Sequence, residues 1–124
     1  MKNMISWFEI PANDVERAKK FYEGLMEVEL VDLDMGDGVK MAMFPGDEKS
    51  VSGAIIKYEG FYTPSHEGPL IYLNCDEDLQ SNQDRVEALG GKVLMPKKMI
   101  SEEHGFMAVI EDCEGNRIAL YSTS

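Results

Sequence analysis

ISWFEIPANDVERAKKFYEGL, residues 5–25, joins a short strand to an amphipathic helix, and the rest of the chain is read outward from it. Met4 to Ile10 mixes apolar and polar residues and stops at Pro11, the pattern of a strand. Asn13 or Asp14 can cap the helix that follows, because a short side-chain oxygen accepts from the free amides of the first turn. Val15, Ala18, Phe21, Tyr22 and Leu25 then recur at three- and four-residue spacing. That is the apolar stripe of a helix lying on a core. Gly24 sits near its end.

Downstream, three strands are expected at Glu29 to Asp34, Val39 to Phe44 and Ser52 to Lys57. Gly36-Asp37-Gly38 supplies a tight turn, since Gly and Asp tolerate positive φ. Pro45-Gly46-Asp47 breaks the second strand. Tyr58 to Pro69 holds Gly60, Pro64 and Gly68 and reads as a loop. The pattern then restarts. Leu70 to Cys75 is a strand, and Asp76 or Asp78 caps a helix with Leu79, Val86 and Leu89 on its apolar side. Gly90-Gly91 ends that helix. Strands follow at Lys92 to Met95 or beyond, Phe106 to Asp112 and Arg117 to Ser122, with Asp112, Glu114, Gly115 and Asn116 turning between the last two. The order is βαβββ twice within one domain spanning 1–124, module 1 at about 1–60 and module 2 at about 68–124. Placing Val15 against Leu79 also matches Ala18 to Asn82, Tyr22 to Val86 and Leu25 to Leu89. Few residues are identical, so the repeat rests on the order of elements.

The chain has 124 residues, with 12 basic against 23 acidic side chains and a net charge of −11. That balance argues against nucleic acid, which needs a basic patch to release counterions. It argues equally against anionic membrane surfaces. Glu9 falls where a secretory leader would need an apolar core. No apolar run approaches the ~18 residues of a membrane helix. Cys75 and Cys113 lack metal or redox spacing. A cytoplasmic protein with two free thiols is expected.

Three segments resemble one family. ISWFEIPANDVERAKKFYEGL is similar to the opening strand and helix of glyoxalase, bleomycin-resistance and extradiol-dioxygenase proteins, the vicinal oxygen chelate superfamily. YLNCDEDLQSNQDRVEALGGKVL, residues 72–94, resembles the start of their second module. FMAVIEDCEGNRIALYS, residues 106–122, resembles their closing hairpin, which usually carries Asp-Pro-x-Gly-Asn/His. The resemblance implies an α+β fold in which two βαβββ modules form a cup-shaped, eight-stranded mixed sheet with helices on the outer face. In the enzymes a divalent metal at the cup floor chelates two oxygens of the substrate and acts as a Lewis acid.

The family's four metal ligands, each a His or Glu, carry over onto Trp7, Leu70, Ala119 and a position near Gly53. Indole, isobutyl, methyl and hydrogen offer no lone pair to Zn²⁺, Ni²⁺ or Fe²⁺. The neighbours Ser6, Phe8, Ile71, Ile118 and Leu120 are no better. His66 and His104 lie in expected loops, where a displaced site with Glu67, Glu102 or Glu103 is the alternative to simple solvation. The expectation is no metal and no cofactor.

Alternation along strands assigns the cup-facing side chains. If Trp7 points into the cup, so does Glu9, while Phe8 and Ile10 pack on helices. Tyr72 joins Leu70, and Arg117 and Tyr121 join Ala119. Trp7 can stack a flat ligand or plug the vacated metal position. Glu9 can act as a general base or pair with Arg117 or Lys57. Tyr72 and Tyr121 can donate to a ligand oxygen or pack with hydroxyls at the rim. Lys97, Lys98 and His104 fall in a segment that borders the cup mouth in relatives. They can bind an anion, His104 can move protons, or all three are solvated. The candidate ligand-binding residues are therefore Trp7, Glu9, Tyr72, Lys97, Arg117 and Tyr121, and the candidate acid/base groups are Glu9 and His104. The methionines either line an adaptable pocket or fill core gaps. Cys75 is expected to face the helices, and Cys113 to be exposed.

The leading expectation is a binding protein that holds a small organic molecule in the cup without a metal. A metal-independent isomerase or lyase using Glu9 or His104 is the alternative, followed by a metal enzyme with a displaced site or a degenerate accessory module. Relatives of this length imply a homodimer.

Overall fold

Asp14 opens the first helix as its position predicts. In the computed structural model, which describes residues 3–47 and 49–124, α1 runs Val15–Met26. The Asp14 carboxylate accepts from the amide of Arg17 at 3.1 Å. Val15, Ala18, Phe21, Tyr22 and Leu25 are all buried. Each large apolar side chain so buried contributes roughly 2 kcal/mol.

The other elements are β1 (Trp7–Pro11), β2 (Val31–Gly36), β3 (Val39–Met43), β4 (Ser52–Lys57), β5 (Ile71–Asn74), α2 (Gln80–Arg85), β6 (Lys92–Ser101), β7 (Gly105–Glu111) and β8 (Arg117–Ser122). The order is βαβββ twice, as expected. Strand β1 starts three residues later than Met4 and takes in Pro11, and β6 runs on to Ser101. Asp78 serves the start of α2, its carboxylate accepting from the Gln80 amide at 2.9 Å. Asp76 instead adopts left-handed backbone, with φ 61°.

The eight strands divide into two four-stranded sheets, ordered β1-β4-β3-β2 and β5-β8-β7-β6. Each has one parallel pair, β1 with β4 and β5 with β8, and is otherwise antiparallel. The expected α+β fold of two βαβββ modules is present, with the two sheets not closed into one.

The core lies on the helix side of both sheets. Ile10, Ala42 and Ile55 from the first sheet meet Leu73, Ala108, Ile110, Ile118 and Leu120 from the second around α1, Leu79 and Val86. Polar side chains tie the modules together. No basic residue ends α1, and its last carbonyls are capped by α2: Asn82 Nδ2 donates to Leu25 at 2.8 Å, and Arg85 donates to Leu25 at 2.7 Å and Gly24 at 3.0 Å. At the other end, the Glu114 carboxylate accepts from the amides of Asn13 and Asp14 at 2.7 and 2.9 Å and pairs with Arg17 at 2.5 Å. Among the described residues no helix is long and apolar enough to cross a membrane.

Cys75 is half-buried and packs on the core; burial pushes its thiol up to about 11. Cys113, expected to be exposed, is also half-buried. Burial, with Asp112 and Glu114 beside it, pushes that thiol up to about 12. Neither is a ready nucleophile.

Candidate functional site

Strand β1 positions the site. Because successive side chains point to opposite faces, Phe8 and Ile10 join the core, while Trp7 and Glu9 stand on the concave face away from α1. Trp7 remains 43% exposed. Its indole N–H points to the Glu9 carboxylate at 3.4 Å.

Glu9 has a partner that the sequence did not disclose. The hydroxyl of Tyr62, 53 residues away in the loop between modules, donates to it at 2.5 Å. That hydrogen bond, with some burial, raises the Tyr62 pKa above the ordinary phenol value. The expected pairing of Glu9 with Lys57 is sterically excluded. Lys57 shares a face of β4 with Ile55, which is buried in the helix-side core, so the two charges point to opposite sides of the sheet.

The register also relocates the fourth family position. Gly53 lies beside Phe8, and a Cβ built there would sit 2.3 Å from the Phe8 carbonyl oxygen and 2.6 Å from its ring. Position 53 therefore faces the helices. The concave positions of β4 belong to Ser52, Ala54 and Ile56, and the Ser52 hydroxyl is spent on the carbonyls of Phe44 and Pro45. The set Trp7, Ala54, Leu70 and Ala119 offers a metal ion no donor atom, so the residues at the family's positions do not fit one. Among the described residues no three His, Cys, Asp or Glu side chains converge elsewhere.

On the second sheet, Tyr72 lies opposite Ala119 and Tyr121 opposite Met107. The Tyr72 hydroxyl reaches the Met107 sulfur at 3.9 Å, and the residue is 50% exposed. Arg117 lies across from Glu111 on the same face. A crevice of about 250 Å³ is lined by both Arg117 and Glu9, together with Pro11, Ser65, Ile71 and Asn116. No ion pair joins the two: Glu9 is held by Tyr62, and Glu111, across from Arg117, by His66.

Two candidates are not brought to these faces. Lys97 lies on the helix side: its backbone amide donates to Gln83 at 2.7 Å, its ammonium pairs with Asp78 at 2.7 Å, and it sits 4.8 Å over the Phe106 ring. The cause is a series of register shifts along β6, at Val93/Met95, Met95/Lys98 and Met99/Ser101. Such bulges upset simple alternation. They leave Lys98 opposite Met107, on the concave side. His104 lies in the turn after β6, its Nδ1 2.9 Å from the Ser101 hydroxyl. The other histidine, His66, meets Glu111 at 2.7 Å.

A hollow of about 480 Å³ on the helix side is lined by Asp14, Asp32, Lys40 and Lys57. The amides of Asn13 and Asp14, just ahead of α1, are already taken by Glu114.

Comparison with known proteins agrees with this geometry. Residues 4–120 match the family model of the glyoxalase/bleomycin resistance protein/dioxygenase superfamily. A glyoxylase-like domain-containing protein of Didymella fabae is 32% identical over 124 residues, covering 97% of this chain and 94% of that one. Among solved structures, glyoxalase I from Zea mays superposes with a TM-score of 0.72 at 14% identity, over 94% of this chain and 43% of the maize chain. This chain thus spans less than half the maize protein. TnmS3, an antibiotic binding protein from a Streptomyces strain, has a TM-score of 0.65 at 22% identity over 99% of this chain and 98% of its own. With both modules, both sheets and the family model coinciding, the chain belongs to the glyoxalase/bleomycin resistance protein/dioxygenase superfamily.

Proposed function

We propose that this protein binds a small organic molecule on its concave sheet faces without using a metal ion. The observation that carries the reading is the chemistry of the four family positions: indole, two methyls and an isobutyl group cannot coordinate a cation. What those faces do offer is aromatic and polarizable surface. Trp7, Tyr72, Tyr121 and Met107 suit a flat, largely apolar ligand, and Glu9 and Arg117 supply polar contacts. A structural neighbour described as an antibiotic binding protein supports the same reading.

A homodimer belongs to the proposal. Trp7, Val31, Leu33, Tyr72 and Met95 are exposed, and by alternation they lie on the two concave faces. A second copy covering them would bury the apolar surface and enclose a ligand. The expected setting is the cytoplasm, with neither nucleic acid nor membrane as partner, given the net charge of −11.

One observation favours catalysis as a second reading. Glu9 stands on the concave face with a phenol hydrogen-bonded to it, a carboxylate placed to take a proton from a bound substrate in an isomerase or lyase step. His104, tied to Ser101 in a distant turn, has no comparable placement.

Trp7 is the only tryptophan, so its fluorescence reports on the concave face. Titration with a library of aromatic natural products is expected to give saturable quenching by at least one class. An absence of quenching across the library would remove the support for this reading. If a turned-over compound is found, Glu9→Gln is expected to abolish turnover.

A further inference from the structure

Among the described residues Arg117 makes no ion pair, and its Nε is shielded from solvent and donates to no acceptor. The side chain's hydrogen bond runs from Nη2 to the Gly68 carbonyl, at 3.3 Å. Of the carboxylates around it, Glu111 and Glu9 are engaged elsewhere, and Glu67, which lines the same crevice, makes no ion pair with it. Glu111, directly across on β7, is held by His66 at 2.7 Å. Glu9, which lines the same crevice, accepts from Tyr62 at 2.5 Å. A guanidinium has five N–H donors in a planar fork. Leaving one buried and unpaired costs about 1–3 kcal/mol, so an acceptor arriving from outside has that cost to recover.

The crevice beside it is shaped for more than an ion. Its volume is about 250 Å³, and Pro11, Ile71 and Ile118 give it an apolar lining. Glu9 and Glu67 also line it, and their charge opposes a doubly charged anion such as phosphate.

We infer that this crevice takes a small organic carboxylate, its carboxylate on the Arg117 guanidinium and its apolar body against Pro11 and Ile71. The inference rests on the small-molecule reading above and names the chemical class for that site. A planar fork matches a carboxylate in two parallel hydrogen bonds, which a neutral amide cannot reproduce.

The chain has three arginines, Arg17, Arg85 and Arg117, so the Nε–H signals in a ¹⁵N correlation spectrum are few, and Arg117→Lys assigns the relevant one. Sodium benzoate is expected to move the Arg117 Nε–H signal saturably, with the amides of Ser65 and Ile118, while benzamide leaves them in place and phosphate acts more weakly. Arg117→Lys is expected to weaken benzoate roughly tenfold or more. Equal shifts with benzamide, or no saturable shift with benzoate, would overturn the assignment, and the wild-type titration decides this even if the variant folds poorly. The two readings fail separately. A library compound that quenches Trp7 while benzoate leaves the Arg117 signal in place leaves small-molecule binding standing and overturns the carboxylate class.

Discussion

Tyr62, in the loop between modules, and Glu9, on β1, meet at 2.5 Å, phenol donating to carboxylate. The contact pins the loop between modules to the one acidic side chain on the concave face of β1. Its electrostatic signature is a raised Tyr62 pKa, caused first by the hydrogen bond to Glu9, then by burial and the Glu9 charge. Glu9→Gln removes the charge and weakens the acceptor. The Tyr62 phenol is then expected to ionise at lower pH than in the wild type, which an ultraviolet or ¹³C-tyrosine titration reads directly. An unchanged Tyr62 titration would mean that the pair does not form in solution.

Glu114 links the modules through pH. Burial alone would raise its pKa, but the Arg17 guanidinium and the amides of Asp14 and Asn13 outweigh it and hold the carboxyl below its usual value of 4.5. A depressed folded-state pKa stabilises above the unfolded-state value and ceases to do so as pH falls through the folded one. Glu114→Gln is expected to cost roughly 1–3 kcal/mol at neutral pH, measured by urea denaturation. The difference from wild type should shrink below about pH 4.5.

Tyr22 is fully buried and donates to Asp112 at 2.6 Å. Asp112 also accepts from Asn116 Nδ2 at 2.9 Å, and that amide reaches the Pro11 carbonyl at 2.7 Å. Burial, then the Asp112 charge, raises the Tyr22 pKa well above 10. Tyr22→Phe is expected to destabilise by about 2 kcal/mol, because it leaves a buried carboxylate short of one donor. In wild type, Tyr22 should stay protonated until the protein unfolds in alkali, giving one tyrosine that titrates only with loss of circular dichroism.

Gly53→Ala tests the sheet register. The added methyl meets backbone at the Phe8 carbonyl, which cannot rotate away as a side-chain tip would. A loss of roughly 1–3 kcal/mol is expected. Ala54→Ser, on the concave face, adds only a hydroxyl and is expected to be milder. A harmless Gly53→Ala would place residue 53 on the wrong face and reopen the assignment of the fourth family position.

The elements were legible where local patterning and tertiary packing agree. The stripe of α1 and the cap at Asp14 follow from spacing alone, because one helix face meets one continuous core. Trp7 and Glu9 were placed by strand alternation for the same reason. Lys97, expected at the cup mouth from the place of its segment in relatives, lies instead on the helix side, where bulges shift the β6 register. Alternation could not say that the strands form two sheets, since that depends on how modules pack. Tyr62 carried no signal, because loop residues follow no period and its contact closes over 53 residues. Asn82 and Arg85 gave no sign of their role either, because they cap α1 in the other module.

The central claim is that ligand binding here needs no metal, and chelation tests it most directly. Protein dialysed against a strong chelator and verified as free of Zn, Ni and Fe is titrated with a compound that quenches Trp7. Quenching with an unchanged dissociation constant is the predicted result. Binding lost on stripping, and restored by one equivalent of a divalent ion, would contradict it.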